Sequence, residues 1–375
     1  VGLDCLPRNR YEVASEIPHP DAIILRSFNM HNMELPSTLK AIARAGVGTN
    51  NIPVKKCSER GIAVFNTPGA NANSVKEITL AGLFISSRKI LQGIRWTQSL
   101  KSKRGNIQEL VEKQKSMFAG PEITGKNLGV IGLGAVGVSV ANDAAALGMN
   151  VTGYDPFISI ESAWGLSRAV KRASGIDVLI SNSDYITLHI PLSEETKDII
   201  NKDKFSIMKK GVKLLNFSRS DLVNNNDLKE AIDRKIVSVY VTDFPEGDLI
   251  DIAEVIMIPH LGASTPEAED NCAVMAARQI RDYLENGNII NSVNFPSCKM
   301  DIIGKQRILI ANKNIPRMVG QITSVLAQER INIADMLNRS REELAYNIID
   351  IDNEIGDASI KKISEIEGVL MVRVI

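Results

Sequence analysis

The sequence predicts an α/β protein: two doubly wound Rossmann-like domains followed by a C-terminal ferredoxin-like (βαββαβ) domain. Three observations carry this. Short β-branched runs alternate with helical stretches up to about residue 300, and apolar runs of this length between helices are parallel strands covered on both faces. A glycine-rich "GLGAVG" stands between a strand and a helix in mid-chain. The stretch 306–375 then changes pattern and reads β-α-β-β-α-β.

Taken in order, the chain opens "VGLDCLPRNRYEV" with no strand before "DAIILRS" (21–27), which reads as a buried strand. A further strand is expected upstream, because an uncovered sheet edge is a liability. "GIAVFNT" is the next clear strand, and "TPGANANSVKEITLAGLFISSRK" (67–89) begins with turn chemistry and becomes a long apolar helix, a crossover between two α/β units. "NLGVIG", "NVTGYD", "YITLHI", "VKLLNF", "VSVYVTD" and "VIMIPH" supply the strands of the central domain. A second crossover follows "PHLGAST" (259–265), where Pro266 opens a helix and Gly287 closes it. "NFPSCKMDIIGK" (294–305) reads as a linker. The closing elements are "QRILIA", the helix "PRMVGQITSVLAQE", strands "INIADMLN" and "LAYNIIDID", a helix from about Asp357, and "GVLMVRVI".

Composition narrows the function classes. The chain has 375 residues with 44 basic against 44 acidic, so no electrostatic footprint points to nucleic acid or an anionic membrane. No apolar run reaches the roughly 18 residues of a membrane span, and no signal-peptide pattern opens the chain. Cys5, Cys57, Cys272 and Cys298 lack metal-site spacing and read as core thiols of a reducing compartment, expected to be the cytoplasm; no metal is expected.

The glycine motif has its full context. Gly132 permits a tight turn after the strand "NLGVI", Gly134 lets a backbone approach a pyrophosphate, and Gly137 allows close helix–strand packing. The helix N-terminus offers free N–H groups to phosphate. Asp155 ends the next strand, 18 residues after Gly137, where a carboxylate accepts from both ribose hydroxyls and repels the extra phosphate of NADP. NAD is therefore the expected cofactor. Beyond the motif, Arg219, Asp243 and His260 each follow an apolar strand, and ligands of open α/β sheets bind outside the carboxyl ends of strands. Singly, each has a bland reading; together, beside a dinucleotide motif, they predict one crevice.

In this order "GLGAVG…D", "NFSRSDLV", "TDFPE" and "PHLGAST" resemble the D-isomer-specific 2-hydroxyacid dehydrogenases, across essentially the whole chain. "NTPGANANSVKE", "YVTDFP", "PHLGASTPEAEDNCA" and the C-terminal tail resemble the branch acting on 3-phosphoglycerate, in the short form that ends in a regulatory ACT domain. The resemblance implies NAD-dependent oxidation of 3-phospho-D-glycerate to 3-phosphohydroxypyruvate, the first step of L-serine biosynthesis. A D-glycerate or hydroxypyruvate reductase, or another D-2-hydroxyacid dehydrogenase, is the alternative within the family, and a non-enzymatic NAD-sensing binding protein is the alternative outside enzymes.

By the same resemblance, His260 is the general acid/base, a task that suits a group titrating near neutrality. Glu246 is its orienting carboxylate, with Asp248, Asp251 and Glu254 as nearby competitors. Arg219 holds the substrate carboxylate with its planar fork, and Asp243 accepts from the nicotinamide amide. Ala135, Val136, Phe217, Ser218, Gly262 and Ala263, with Arg219 and His260 themselves, complete the cofactor contacts. Arg26 is expected at the substrate phosphate, Val47 and Gly48 at its carboxylate through backbone N–H groups, and Lys113 and Lys115 are candidate contributors from a neighbouring subunit. The expected domains are a substrate-binding domain (1–70 and 264–296), an NAD-binding domain (71–263), a linker (297–305) and an ACT-like domain (306–375). The ACT resemblance implies an amino-acid effector such as serine at Asn312, Asn314 and Asn332, and a homodimer or homotetramer. Four positions depart from the family pattern: Asn50 stands where Asp is common, Ser220 for Gly, Asn312 for His, and Arg317 for a glycine after proline.

Overall fold

The computed structural model describes residues 1–102 and 106–375. The chain divides into two compact units, Val1–Ala70 together with Glu269–Ile375, and Asn71–Ala268.

The first unit begins with a three-stranded parallel sheet of β1 (Ala22–Leu25), β2 (Ala41–Arg44) and β3 (Ala63–Phe65), in that order. Strand alternation sorts its side chains. Ile42 and Val64 join one buried cluster with Met30, Ile52 and Cys57, while Ala41, Ala43 and Phe65 enter another on the opposite face. "DAIILRS" thus supplies β1 at one edge of this sheet. The opening segment lies along the helix Pro266–Asn286: a Cβ on Gly2 would fall 2.7 Å from the backbone of Ala273, and Tyr11 donates to Glu285 at 2.8 Å.

The second unit holds an all-parallel seven-stranded sheet. Its strands are β4 (Asn127–Ile131), β5 (Asn150–Tyr154), β6 (Lys171–Arg172), β7 (Tyr185–Leu188), β8 (Val212–Asn216), β9 (Val237–Thr242) and β10 (Val255–Met257). The order β10-β9-β8-β7-β4-β5-β6 means the chain starts in mid-sheet, moves out to β6, then returns to β7 on the other side. The order reverses between β4 and β7, and ligands of such sheets bind outside the carboxyl ends at that point. Both faces are covered, which is why these strands read as unbroken apolar runs. One face packs Leu179, Phe205 and Leu228 of three short helices; the other packs Val75 and Leu83 of the helix Ala72–Ser87 and Val138 and Ala141 of the helix Ala135–Ala146.

Back in the first unit, β11 (Gln306–Lys313), β12 (Ile333–Arg341), β13 (Leu344–Ile351) and β14 (Val369–Val374) form an antiparallel sheet in the order β12-β13-β11-β14. With the helices Met318–Gln328 and Asp357–Ser364 this is the expected βαββαβ pattern. The central strands β11 and β13 are buried on both faces. Ile308, Ile310, Ile349 and Ile351 face the two helices, while Leu309, Ala311, Tyr346 and Ile348 share a core with Phe65, Tyr283 and Phe295.

The run 294–305, read as a linker, is part of that core: Phe295 and Cys298 are each 1% exposed. Arg307 fastens it. Its guanidinium reaches both oxygens of Asp350 at 2.6 and 2.9 Å and the carbonyls of Asn286, Met300 and Asp301, and the Ile303 N–H adds a third bond to Asp350. A fully buried ion pair is tolerable only with such complete satisfaction. Cys57, Cys272 and Cys298 are buried and Cys5 half-buried, all as free thiols. No described helix is long and apolar enough to cross a membrane.

Candidate functional site

Two of the three glycines of the mid-chain turn, Gly132 and Gly137, answer a steric demand, and the third leaves open space. Gly132 leaves β4 at φ +92°, and a Cβ there would lie 2.4 Å from the carbonyl oxygen of His189. Gly137 begins the helix packing: its Cβ would sit 1.9 Å from the Gly132 oxygen. Around Gly134 nothing stands within 4 Å of the Cβ position, so that side of the turn is open. Gly134 also caps the helix Ala135–Ala146 without any side-chain capping bond, leaving first-turn N–H groups at Ala135 and Val136 to face an anion.

Asp155, at the end of β5, braces this turn. One of its oxygens accepts the Leu133 N–H and the other the Phe157 N–H, both at 2.8 Å. Each oxygen keeps a further lone pair for a ribose hydroxyl.

The ends of β8, β9 and β10 supply the remaining residues. Asn216, buried at the end of β8, organises the loop that follows: it accepts from the Ser218 N–H at 3.1 Å and donates to the Arg219 carbonyl at 2.8 Å. Phe217 is buried, and Ser218 donates to the Ile190 carbonyl at 2.5 Å. Arg219 projects into solvent, its guanidinium bonded to the Ser218 carbonyl at 2.6 Å. Asp243, at the end of β9, is 2% exposed. Burial raises its pKa, opposed by the Gly262 N–H, which its Oδ2 accepts at 2.8 Å. Its Oδ1 is buried without a hydrogen-bond partner among the described residues, an acceptor available to a donor such as a carboxamide. The Asp243 carbonyl takes the His260 N–H at 2.9 Å, holding His260 at φ +38°, a conformation that side-chain-bearing residues seldom adopt. Gly262 is buried and Ala263 half-buried in the turn that follows.

The expected Glu246–His260 hydrogen bond is not made among the described residues. Glu246 accepts instead from the Asn225 side chain, while the His260 ring is exposed and stands edge-on to Phe244, 5.1 Å between centroids. The cause is local: Asn225 opens the helix Asn225–Asp233 directly against the loop, and the turn at His260 directs its ring elsewhere. Of the competing carboxylates, Asp248 is held by Lys229 at 2.6 Å. Asn216 and Asn225 were not foreseen. A polar residue closing the apolar strand "VKLLN" was the available signal for the first.

In the other unit, Arg26 follows β1 and is paired with Glu269 at 2.7 Å, both about half exposed. Asn66 donates to the Val47 carbonyl at 2.7 Å, while the N–H groups of Val47 and Gly48 have no protein acceptor among the described residues. Asn312 is 1% exposed. It donates to the Lys313 carbonyl and accepts from Asn347, which in turn accepts from Asn338, so its amide is consumed within the sheet and is not presented to a ligand. Asn314 bonds the Glu342 carbonyl at 3.0 Å and Asn332 bonds Asp352 at 2.5 Å, both exposed. Lys113 and Lys115 pair with Glu109 and Glu112 on their own exposed helical segment.

An open glycine turn at a helix N-terminus, a carboxylate at the end of the next strand and a buried Asp243 oxygen unpartnered among the described residues fit a dinucleotide. Residues 80–262 match the model of the D-isomer specific 2-hydroxyacid dehydrogenase, NAD binding domain. A D-3-phosphoglycerate dehydrogenase of Methanocaldococcus jannaschii is 35% identical over 335 residues, 87% of this chain and 61% of that protein. One from Archaeoglobus fulgidus is 37% identical over 299 residues, 77% of this chain and 54% of the relative. The chain thus spans little more than half the length of these relatives. The crystal structure of NAD+-bound 3-phosphoglycerate dehydrogenase from Entamoeba histolytica aligns with a TM-score of 0.58 at 28% identity, covering 73% of this chain and 82% of that one.

Proposed function

We propose that the chain is an NAD-dependent dehydrogenase that oxidises 3-phospho-D-glycerate to 3-phosphohydroxypyruvate, the entry to L-serine biosynthesis. One observation carries the reading: the dinucleotide turn after β4 and the Arg219, Asp243 and His260 positions after β8, β9 and β10 share the carboxyl ends of one parallel sheet. NAD, when bound, supplies the hydride acceptor. Gly132, Gly134, Ala135, Val136 and Gly137 hold its pyrophosphate, Asp155 its ribose, and Asp243 Oδ1 its carboxamide. Phe217, Ser218, Gly262 and Ala263 line the same cofactor.

His260 takes the hydroxyl proton of the substrate onto a ring nitrogen and returns it in the reverse direction. Arg219 leaves the Ser218 carbonyl to grip the substrate carboxylate and polarise the adjacent carbon–oxygen bond. Glu246 reaches the imidazole once it releases Asn225. Arg26 exchanges Glu269 for the substrate phosphate, and the free N–H groups of Val47 and Gly48 take the carboxylate. The relatives' names support the phosphorylated substrate. The protein is proposed to act in the cytoplasm as a homodimer or homotetramer. The stretch 306–375 is proposed to be an ACT-type module that binds an amino acid such as serine, with Asn314 and Asn332 as contacts.

The test is kcat/KM for 3-phosphoglycerate and D-glycerate with NAD, in the wild type and in Arg26→Ala. Loss of a hydrogen bond to a charged group, about 1.5–3 kcal/mol, lowers the phosphorylated value roughly 10–100-fold and spares the other. Glu269→Gln, which frees Arg26, lowers KM for 3-phosphoglycerate alone. Equal turnover of both substrates in the wild type, with Arg26→Ala harming neither, turns the reading to a glycerate or hydroxypyruvate reductase.

A further inference from the structure

The opposite end of the seven-stranded sheet carries a charged cavity that the dehydrogenase reading does not use. It has a volume of about 170 Å³ and is lined by Lys126, Lys209, Lys210 and Lys213 around Asp184 and Tyr185. These residues stand at the amino ends of β4, β7 and β8, whereas the nucleotide turn lies at the carboxyl ends.

Four ammonium groups here meet one carboxylate, and that carboxylate is already engaged. Asp184 Oδ1 accepts from Lys209 and Oδ2 from the Asn127 N–H, each at 2.9 Å. Lys126, Lys210 and Lys213 have no ion pair among the described residues; the one ion pair in the cavity is that of Lys209. Lys213 is half-buried, its ammonium 4.8 Å from the centre of the Tyr185 ring. That ring is fixed in turn by a 2.8 Å bond between its hydroxyl and Ser87. Burial holds the Lys213 pKa below the ordinary lysine range; Asp184 opposes this and Lys126 adds to it by repulsion. Lys126 and Lys210 are exposed at the rim, while Lys213 is partly dehydrated beside the like charge of Lys126, a repulsion that a counter-ion relieves; one monovalent ion would leave most of the cavity's charge unmatched.

We propose that this cavity binds a small multivalent oxyanion, inorganic phosphate or a phosphate monoester, on ammonium groups of Lys126, Lys210 and Lys213. Lysine supplies compact point charges that suit a tetrahedral anion approached from several sides. The site is independent of the substrate reading.

The experiment is a lysine footprint on the full chain with NAD present to occupy its own site. Acetylation of each amine is followed by mass spectrometry in sodium phosphate, in glycerol phosphate, and in sodium chloride at equal ionic strength. Either phosphate compound slows labelling of Lys126 and Lys213 several-fold relative to chloride, and leaves Lys361 and Lys362 on the helix Asp357–Ser364 unchanged. Stronger protection by the ester assigns a monoester as ligand, and equal protection assigns the free ion. In Lys213→Met, whose stem keeps the packing on Tyr185, the protection of Lys126 disappears. Equal labelling of Lys126 and Lys213 in all three salts overturns the proposal, as does protection of Lys126 that survives Lys213→Met.

Discussion

The glycine turn after β4 and the loop that carries Glu246 and His260 stand at strand ends of the same sheet, yet they are finished to different degrees. The turn is complete: Gly132 and Gly137 each meet a steric demand, Gly134 leaves its side open, and Asp155 accepts from two backbone N–H groups, those of Leu133 and Phe157. The loop is not, since Glu246 is bonded to Asn225, and the His260 ring has an edge contact with Phe244 and no side-chain hydrogen bond from its ring nitrogens among the described residues. The difference teaches which chemistry a backbone can store. A turn defined by missing Cβ atoms has one arrangement. A pairing of two long side chains across a loop has several, and the resting one is chosen by whichever partner is nearest.

The comparison can be broken most forcefully at its catalytic end. If His260 carries the proton as proposed, His260→Asn should lower kcat about 10²–10⁴-fold while changing NAD affinity far less. Parallel loss of NAD binding in calorimetry would mean that the strained turn at His260 also shapes the cofactor end. Glu246→Gln should lower kcat about tenfold or more if that carboxylate orients the imidazole in the working state. Asn225→Ala, which releases Glu246, should not lower it. Unchanged kcat in Glu246→Gln would transfer the orienting role to another carboxylate.

At the cofactor end, two substitutions of the same size separate packing from binding. Gly137→Ala drives a methyl group into the Gly132 carbonyl and should destabilise the fold by about 1–3 kcal/mol, read as a shift of the urea midpoint. Gly134→Ala points its methyl group into open space, so the midpoint should stay put while NAD binding weakens. Identical behaviour of the pair would contradict the division of labour. The smallest effect is expected far from both regions. Arg317 occupies the left-handed region at φ +73°, which costs a side-chain-bearing residue about 1 kcal/mol, so Arg317→Gly should raise stability by roughly that amount.

Much of this was legible in the sequence, for physical reasons that differ by region. Unbroken apolar runs gave the parallel strands, and glycine spacing with Asp155 gave the nucleotide turn, because both are encoded within a few dozen contiguous residues. Arg317, in the place of a family glycine, was visible as a departure, and its positive φ explains why glycine suits that position. The Arg26–Glu269 pair was hidden, since its partners are far apart in the chain. So was the embedding of 294–305: a polar, proline-containing run looks like a tether until Arg307 and Asp350 are seen to gather its carbonyls and N–H groups. Asn312 resembled a ligand position by alignment of motifs, but strand alternation turns it inward to Asn347.

The most direct measurement is reduction of 3-phosphohydroxypyruvate by the full chain, followed by the loss of NADH absorbance, with NADPH and unphosphorylated hydroxypyruvate as parallel substrates. Rapid oxidation of NADH with the phosphorylated keto acid, and little with NADPH or hydroxypyruvate, is the result expected from Asp155 at the ribose and Arg26 at the phosphate. Equal rates with NADPH would contradict the role given to Asp155. No oxidation of NADH by either keto acid, with NADH still bound, would contradict the catalytic assignment of Arg219 and His260.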